Sequence, residues 1–101
     1  MGSRMEITQV IAERTMLFAR STGEREAASL RVGLPLRIDE DTWYCPYELR
    51  TDSARKAFGM HGIDALQALE LTMKTLSVEV AYWEKSKSGK FHFLDEEGAG
   101  I

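Results

Sequence analysis

Cysteine is almost missing from this chain: Cys45 is the only one in 101 residues. No internal disulfide can form, and a thiolate zinc centre lacks its ligands. Long apolar runs are missing as well. None approaches the roughly 18 residues that span a bilayer, and the N-terminus has no basic segment followed by an apolar one, as a secretory signal would. With neither an export signal nor a cysteine pair, the expected compartment is the cytoplasm, with no membrane contact. Histidines number two and prolines two, so general-base and histidine–metal chemistry have little to draw on. Gly59 and Gly62 precede a helical pattern, but without the lysine or spacing of a phosphate-binding loop.

A surplus of basic charge is also lacking. The net charge is −3, and it is uneven: residues 1–38 carry six Arg and four Glu, a balance of +2, which leaves −5 for residues 39–101. An acidic second half disfavours nucleic acid, whose binding is driven by Lys and Arg neutralising phosphates. The same charge suits a basic protein partner.

What is present reads as one small globular domain. Hydrophobic residues make up 44% and charged residues 29%, ordinary for a soluble domain of this length. Residues 1–4 read as an added leader, residues 5–95 as a single domain, and residues 96–101 as a loose tail.

Residues 10–20 carry Val10, Ala12, Met16 and Phe18 on one parity, which predicts a strand whose apolar face Arg14 interrupts. Leu30, Val32, Leu34, Leu36 and Ile38 alternate with polar, glycine or proline positions and predict a second strand, edged or bent at Pro35. "TWYCPYELR", residues 42–50, predicts a third, with Trp43, Cys45, Tyr47 and Leu49 on one face and Tyr44, Pro46 and Glu48 on the other. Residues 54–60 predict a short fourth strand.

A helix follows. Ile63, Leu66, Leu69, Met73, Leu76, Val80 and Trp83 recur at steps of three and four, one face of an α-helix. Ala68, Leu71, Thr75, Val78 and Tyr82 widen the stripe. Gly62 is the expected N-cap, Asp64 the first-turn acid, and Glu70–Lys74 an i, i+4 pair. Gln67 is expected to serve the backbone. "KFHFL", residues 90–94, predicts a last strand. The expected fold is α+β: an antiparallel sheet in β-β-β-β-α-β order with one long amphipathic helix packed on one face.

Chemistry is scarce in this arrangement. Cys45 lies among aromatics with nothing nearby to lower its pKa, and reads as a small buried hydrophobe. His61/Asp64 and His92/Asp95 repeat a His–carboxylate spacing that suits a divalent metal, but an odd offset sends His92 and Asp95 to opposite faces of a strand. They read as structural. The acids of "DED" and "DEE" sit in turns, where no apolar pocket raises a carboxyl pKa for acid catalysis. Trp43, Tyr44 and Tyr47 are of a type that stacks on bases, but few basic residues surround them.

The stretch 62–69, "GIDALQAL", following 43–47, "WYCPY", resembles an uncharacterised family of small bacterial domains with a strand pair, a W/Y-x-C-x-Y-like strand and a Gly-(Val/Ile)-Asp-x-(Leu/Val)-Gln-Ala-Leu helix start. The resemblance covers most of residues 8–94. It implies a fold signature and carries no catalytic residue, cofactor or metal.

Two functional readings follow, and an enzyme is not expected. The first is a non-enzymatic protein–protein interaction module, in its narrow form a toxin-neutralising immunity protein, with Asp39, Glu40, Asp41, Tyr44 and Glu48 as the contact surface. The second is a small-ligand domain with an apolar pocket lined by Trp43, Tyr47, Met73 and Trp83. Edge strands and the wide helix stripe also suit a homodimer.

Overall fold

The computed structural model describes residues 6–101; the leader expected at residues 1–4 lies outside them. Strand β1 (Val10–Arg20) turns back through residues 21–24 into β2 (Arg25–Gly33), with Gly23 in the left-handed region at φ 99°. The two pair antiparallel, with a bulge between Val10 and Ala12. Arg14 does stand on the apolar face. Its Nη1 donates to the Ala99 carbonyl at 2.8 Å and its guanidinium lies 4.0 Å from the Phe93 ring centroid, so the charge is solvated by a carbonyl and a π-face.

The second expected strand is two strands. β2 ends at Gly33 and β3 (Leu36–Asp39) begins after Leu34–Pro35, both along one side of β4 (Thr42–Thr51). β2 takes the Tyr47–Thr51 stretch and β3 takes Thr42–Tyr44. The break has a local cause. Pro35 has no N–H, and neither has Pro46, which lies opposite the break, so neither can donate a ladder bond there. As a result Leu34 and Ile38, expected in the core, are exposed.

β5 (Arg55–Gly62) pairs along the other side of β4, from Arg50↔Arg55 to Trp43↔Gly62. Helix α1 (Ala65–Ser86) follows, then β6 (Gly89–Phe93) beside β1, and β7 (Glu96–Glu97) beside β6. Across the sheet the path is β5, β4, β2 with β3, β1, β6, β7. This is the expected α+β class, a seven-stranded antiparallel sheet with one helix. Among the described residues five strands, not four, precede the helix, and two follow it.

α1 buries Ala68, Thr72, Leu76, Val80 and Trp83 against Phe18, Tyr47, Leu49 and Phe91 of the sheet. Burying a side chain such as Leu76 or Phe91 contributes roughly 1.5–3 kcal/mol. The lower half of the expected stripe is correct. The upper half is rotated: Ile63 and Leu66 are 70% and 74% exposed. A Cβ added at Gly62 would stand 2.5 Å from the Ala68 nitrogen, so the chain enters the helix in a close approach that only small residues permit. The N-cap is Asp64, not Gly62. Its carboxylate accepts from the Gln67 N–H at 2.8 Å, and Gln67 Oε1 accepts from the Ile63 N–H at 2.8 Å, a variant of the capping box.

The tail is not loose. Gly98 N–H donates to the Phe91 carbonyl at 2.7 Å, and Ala99 is buried beneath Arg14. Among the described residues no helix is long and apolar enough to cross a membrane.

Candidate functional site

The β3–β4 hairpin tip carries the acids that the sequence marks for a partner. Arg37 shapes it: Nε donates to the Asp39 carbonyl at 3.1 Å and Nη2 to the Glu40 carbonyl at 3.3 Å. Asp39 Oδ1 accepts from the Asp41 N–H at 3.0 Å, an aspartate turn of the usual kind. Asp39, Glu40 and Asp41 are all exposed.

Tyr44 and Glu48 do not join them: they are 3% and 7% exposed. The expectation treated β4 as covered on one face, whereas both faces are covered. Ile7 reaches Gly33 and Pro46 on the face opposite α1, where a Cβ at Gly33 would meet it at 2.9 Å. The Tyr44 ring lies over Gly59, whose added Cβ would be 2.6 Å from Tyr44 Cζ, and stacks tilted on His61 at 4.8 Å. The Glu48 carboxylate accepts from Arg55 Nε and stands 4.0 Å from Arg50 Nη1. Both residues are structural, and the surface loses them.

The expected pocket residues are not gathered either. Tyr47 and Trp83 are core, and Trp43 packs partly buried against that core. Tyr47 meets Phe58 edge-on at 6.5 Å and donates its hydroxyl to Glu79 at 3.0 Å. Met73 instead lines an apolar cleft with Ala12, Leu30, Val32 and Ile101. That cleft holds about 110 Å³, below the roughly 300 Å³ at which small-molecule sites begin.

Glu79 is the polar residue that sequence reasoning missed. It takes both the Tyr47 hydroxyl and Lys56 Nζ, each at 3.0 Å. Burial, then Glu79, push the Tyr47 phenol well above its ordinary value. No spacing in the sequence links residues 47, 56 and 79. Cys45 is fully buried, its Sγ donates to the Gly33 carbonyl at 3.5 Å, and burial pushes its thiol up. Asp64 is spent on the helix cap, and among the described residues no three His, Cys, Asp or Glu side chains converge as metal ligands.

One end of the sheet does collect a surface. Trp43 pairs with Arg37 on one side and Gly62 on the other, so the acidic tip and the helix entrance flank one position. Exposed Ile38, in the β3–β4 hairpin, and exposed Ile63 and Leu66, at the helix entrance, thus share an end of the sheet with Asp39, Glu40 and Asp41. Val10 and Leu34 lie further along the sheet: Val10 pairs with Gly33, one step beyond Val32↔Tyr47, and Leu34 N–H donates to the Gln9 carbonyl at 2.8 Å.

These features define a small α+β domain with an acidic, apolar end and a sealed interior. The chain belongs to the family described as Domain of unknown function (DUF6968), whose model matches residues 12–101. The resemblance to an uncharacterised family is thereby borne out. No curated protein and no solved structure matches the chain.

Proposed function

We propose that the chain is a protein-binding module without catalysis of its own, and that it docks a basic protein on the end of the sheet beside the 39–41 tip. One observation carries this reading: Ile63 and Leu66, 70% and 74% exposed, sit at the end that also carries Asp39, Glu40 and Asp41. Large aliphatics exposed together and rimmed by one sign of charge are typical of a recognition surface. The acids would speed association with a basic partner. The Cys45 thiol is sealed and the Tyr47 hydroxyl is bonded to Glu79, which also holds Lys56, so neither nucleophile is presented to a substrate. Neutralisation of a basic toxin is the narrow form of this reading, and small size and acidity support it.

The test is comparative capture from cell lysate. The wild-type chain is set beside Asp39→Lys/Glu40→Lys/Asp41→Lys and beside Ile63→Lys/Leu66→Lys, all at exposed positions. A basic protein held by the wild type, released by salt and lost from both variants is the expected result. A catch identical across all three chains, or no catch at all, would rule the surface out.

A further inference from the structure

The apolar cleft under Met73 lies two turns along α1 from Leu66 and carries a further inference, which rests on the protein-binding reading above. Leu66 and Met73 are seven residues apart, so they stand on one flank of the helix, about 10.5 Å from each other. Leu66 is 74% exposed and Met73 40%. The flank looks over the β1–β2 part of the sheet, since Met73 lines the cleft with Ala12 of β1 and with Leu30 and Val32 of β2. Ile101 completes the apolar wall and is 43% exposed.

The charged groups that border the cleft are engaged elsewhere. Arg14 is held by the Ala99 carbonyl and the Phe93 ring, and Glu13 accepts from Arg31 Nε at 2.8 Å. The volume of about 110 Å³ is somewhat less than the roughly 150 Å³ of an apolar cavity that stays dry and takes up benzene. It fits one branched aliphatic side chain. The strand on its floor offers no ladder, because Leu30 and Val32 have β1 on one side and β4 on the other. A segment that lies over them must satisfy its own backbone, as a helix does.

We infer that the cleft is the anchor pocket for a basic amphipathic helix of the partner, which inserts one leucine or isoleucine under Met73. A second aliphatic residue seven positions away on that helix, at the same spacing of about 10.5 Å, rests on Leu66 and Ile63. Apolar anchors one or two turns apart are the usual means by which a groove reads a helix. The lysines or arginines of the docked helix face Asp39, Glu40 and Asp41, which share the Ile63–Leu66 end of the sheet. Opposite charge at that end sets the direction in which the helix lies.

The probe is a synthetic peptide of alanine and lysine, about 18 residues long so that it holds helix, with two leucines seven residues apart. It is titrated into the full chain while the methyl signals of Leu30, Val32, Met73 and Ile101 are followed by NMR. Those signals should shift. The peptide should bind about tenfold tighter than one whose leucines are five residues apart and so point to different faces. Ala12→Leu, at an exposed position, fills the cleft, and Met73→Lys sets a charge over its mouth. Each should weaken binding by about tenfold with the fold intact. Asp39→Lys/Glu40→Lys/Asp41→Lys probes the underlying reading separately. Binding lost in that variant but unchanged in Ala12→Leu and Met73→Lys overturns the cleft and leaves the docking end standing. Binding lost in the cleft variants and kept in the tip variant supports the cleft and removes the acids from the surface. A wild type that binds neither peptide, or binds both equally, overturns the inference, as do unmoved methyl signals.

Discussion

Glu26 of β2 ties its strand to the end of β1 and to the β4–β5 turn with one carboxylate. Oε2 accepts from Arg20 Nε at 2.6 Å, and Oε1 accepts from the Ser53 N–H at 2.9 Å and the Ser53 hydroxyl at 2.7 Å. The Ser53 hydroxyl bond, then Arg20, hold its pKa down from the ordinary 4.5 to about 2. A depressed carboxyl pKa stabilises the fold above the unfolded value. That contribution is whole above pH 4.5 and disappears as pH falls toward about 2. Glu26→Gln should cost about 1–2 kcal/mol at neutral pH and flatten the acid limb, as urea unfolding at neutral and low pH would show; an unchanged acid limb would refute it. At this scale the sequence is legible where side-chain character alone decides. Cys45, mid-strand among aromatics, is fully buried as read. Tyr44 and Glu48 are buried by neighbours from another strand, Gly59 and His61 against the Tyr44 ring and Arg55 on the Glu48 carboxylate, contacts that no local pattern encodes.

At the element scale, the helix illustrates the same division. Its existence follows from the recurrence of apolar residues at steps of three and four. Its rotation does not. Ala68 and Thr72 face the sheet, and Thr72 donates its hydroxyl to the Cys45 carbonyl at 2.9 Å. Small residues allow the close approach at Gly62, and that approach turns Leu66 outward. Ala68→Leu should therefore destabilise by roughly 1–3 kcal/mol through overpacking, whereas Leu66→Gln should change stability by no more than about 0.5 kcal/mol. Urea midpoints of the two variants settle the order, and the apolar stripe read alone predicts the reverse. The split of β2 from β3 belongs to this scale too. Pro35 announced a bend, but the gap arises because Pro46 lies across from it, and pairing register is not written in either segment.

The whole molecule closes through its last residues. Ala99 is buried, its carbonyl takes the Arg14 guanidinium, and the Gly98 N–H reaches Phe91. Removing residues 96–101 should strip Arg14 of its acceptor and open the core beside Phe91. The expected cost is about 2 kcal/mol, seen as a thermal midpoint lower by roughly 8–16 °C for a domain of this size. An unmoved midpoint would mean that the tail contributes nothing. "DEEGAGI" carries no apolar period and two flexible glycines, so its packing was not legible in advance.

The sequence alone determined the α+β class, the antiparallel strands and the single long helix, because these follow from residue periodicity and turn chemistry within short windows. It also marked the acidic 39–41 tip as exposed, since three consecutive acids resist burial. Tertiary structure decided the rest. Which face the helix presents and whether β4 is covered once or twice depend on contacts between segments far apart in the chain. Those contacts are set by shape and register, and a one-dimensional pattern carries neither.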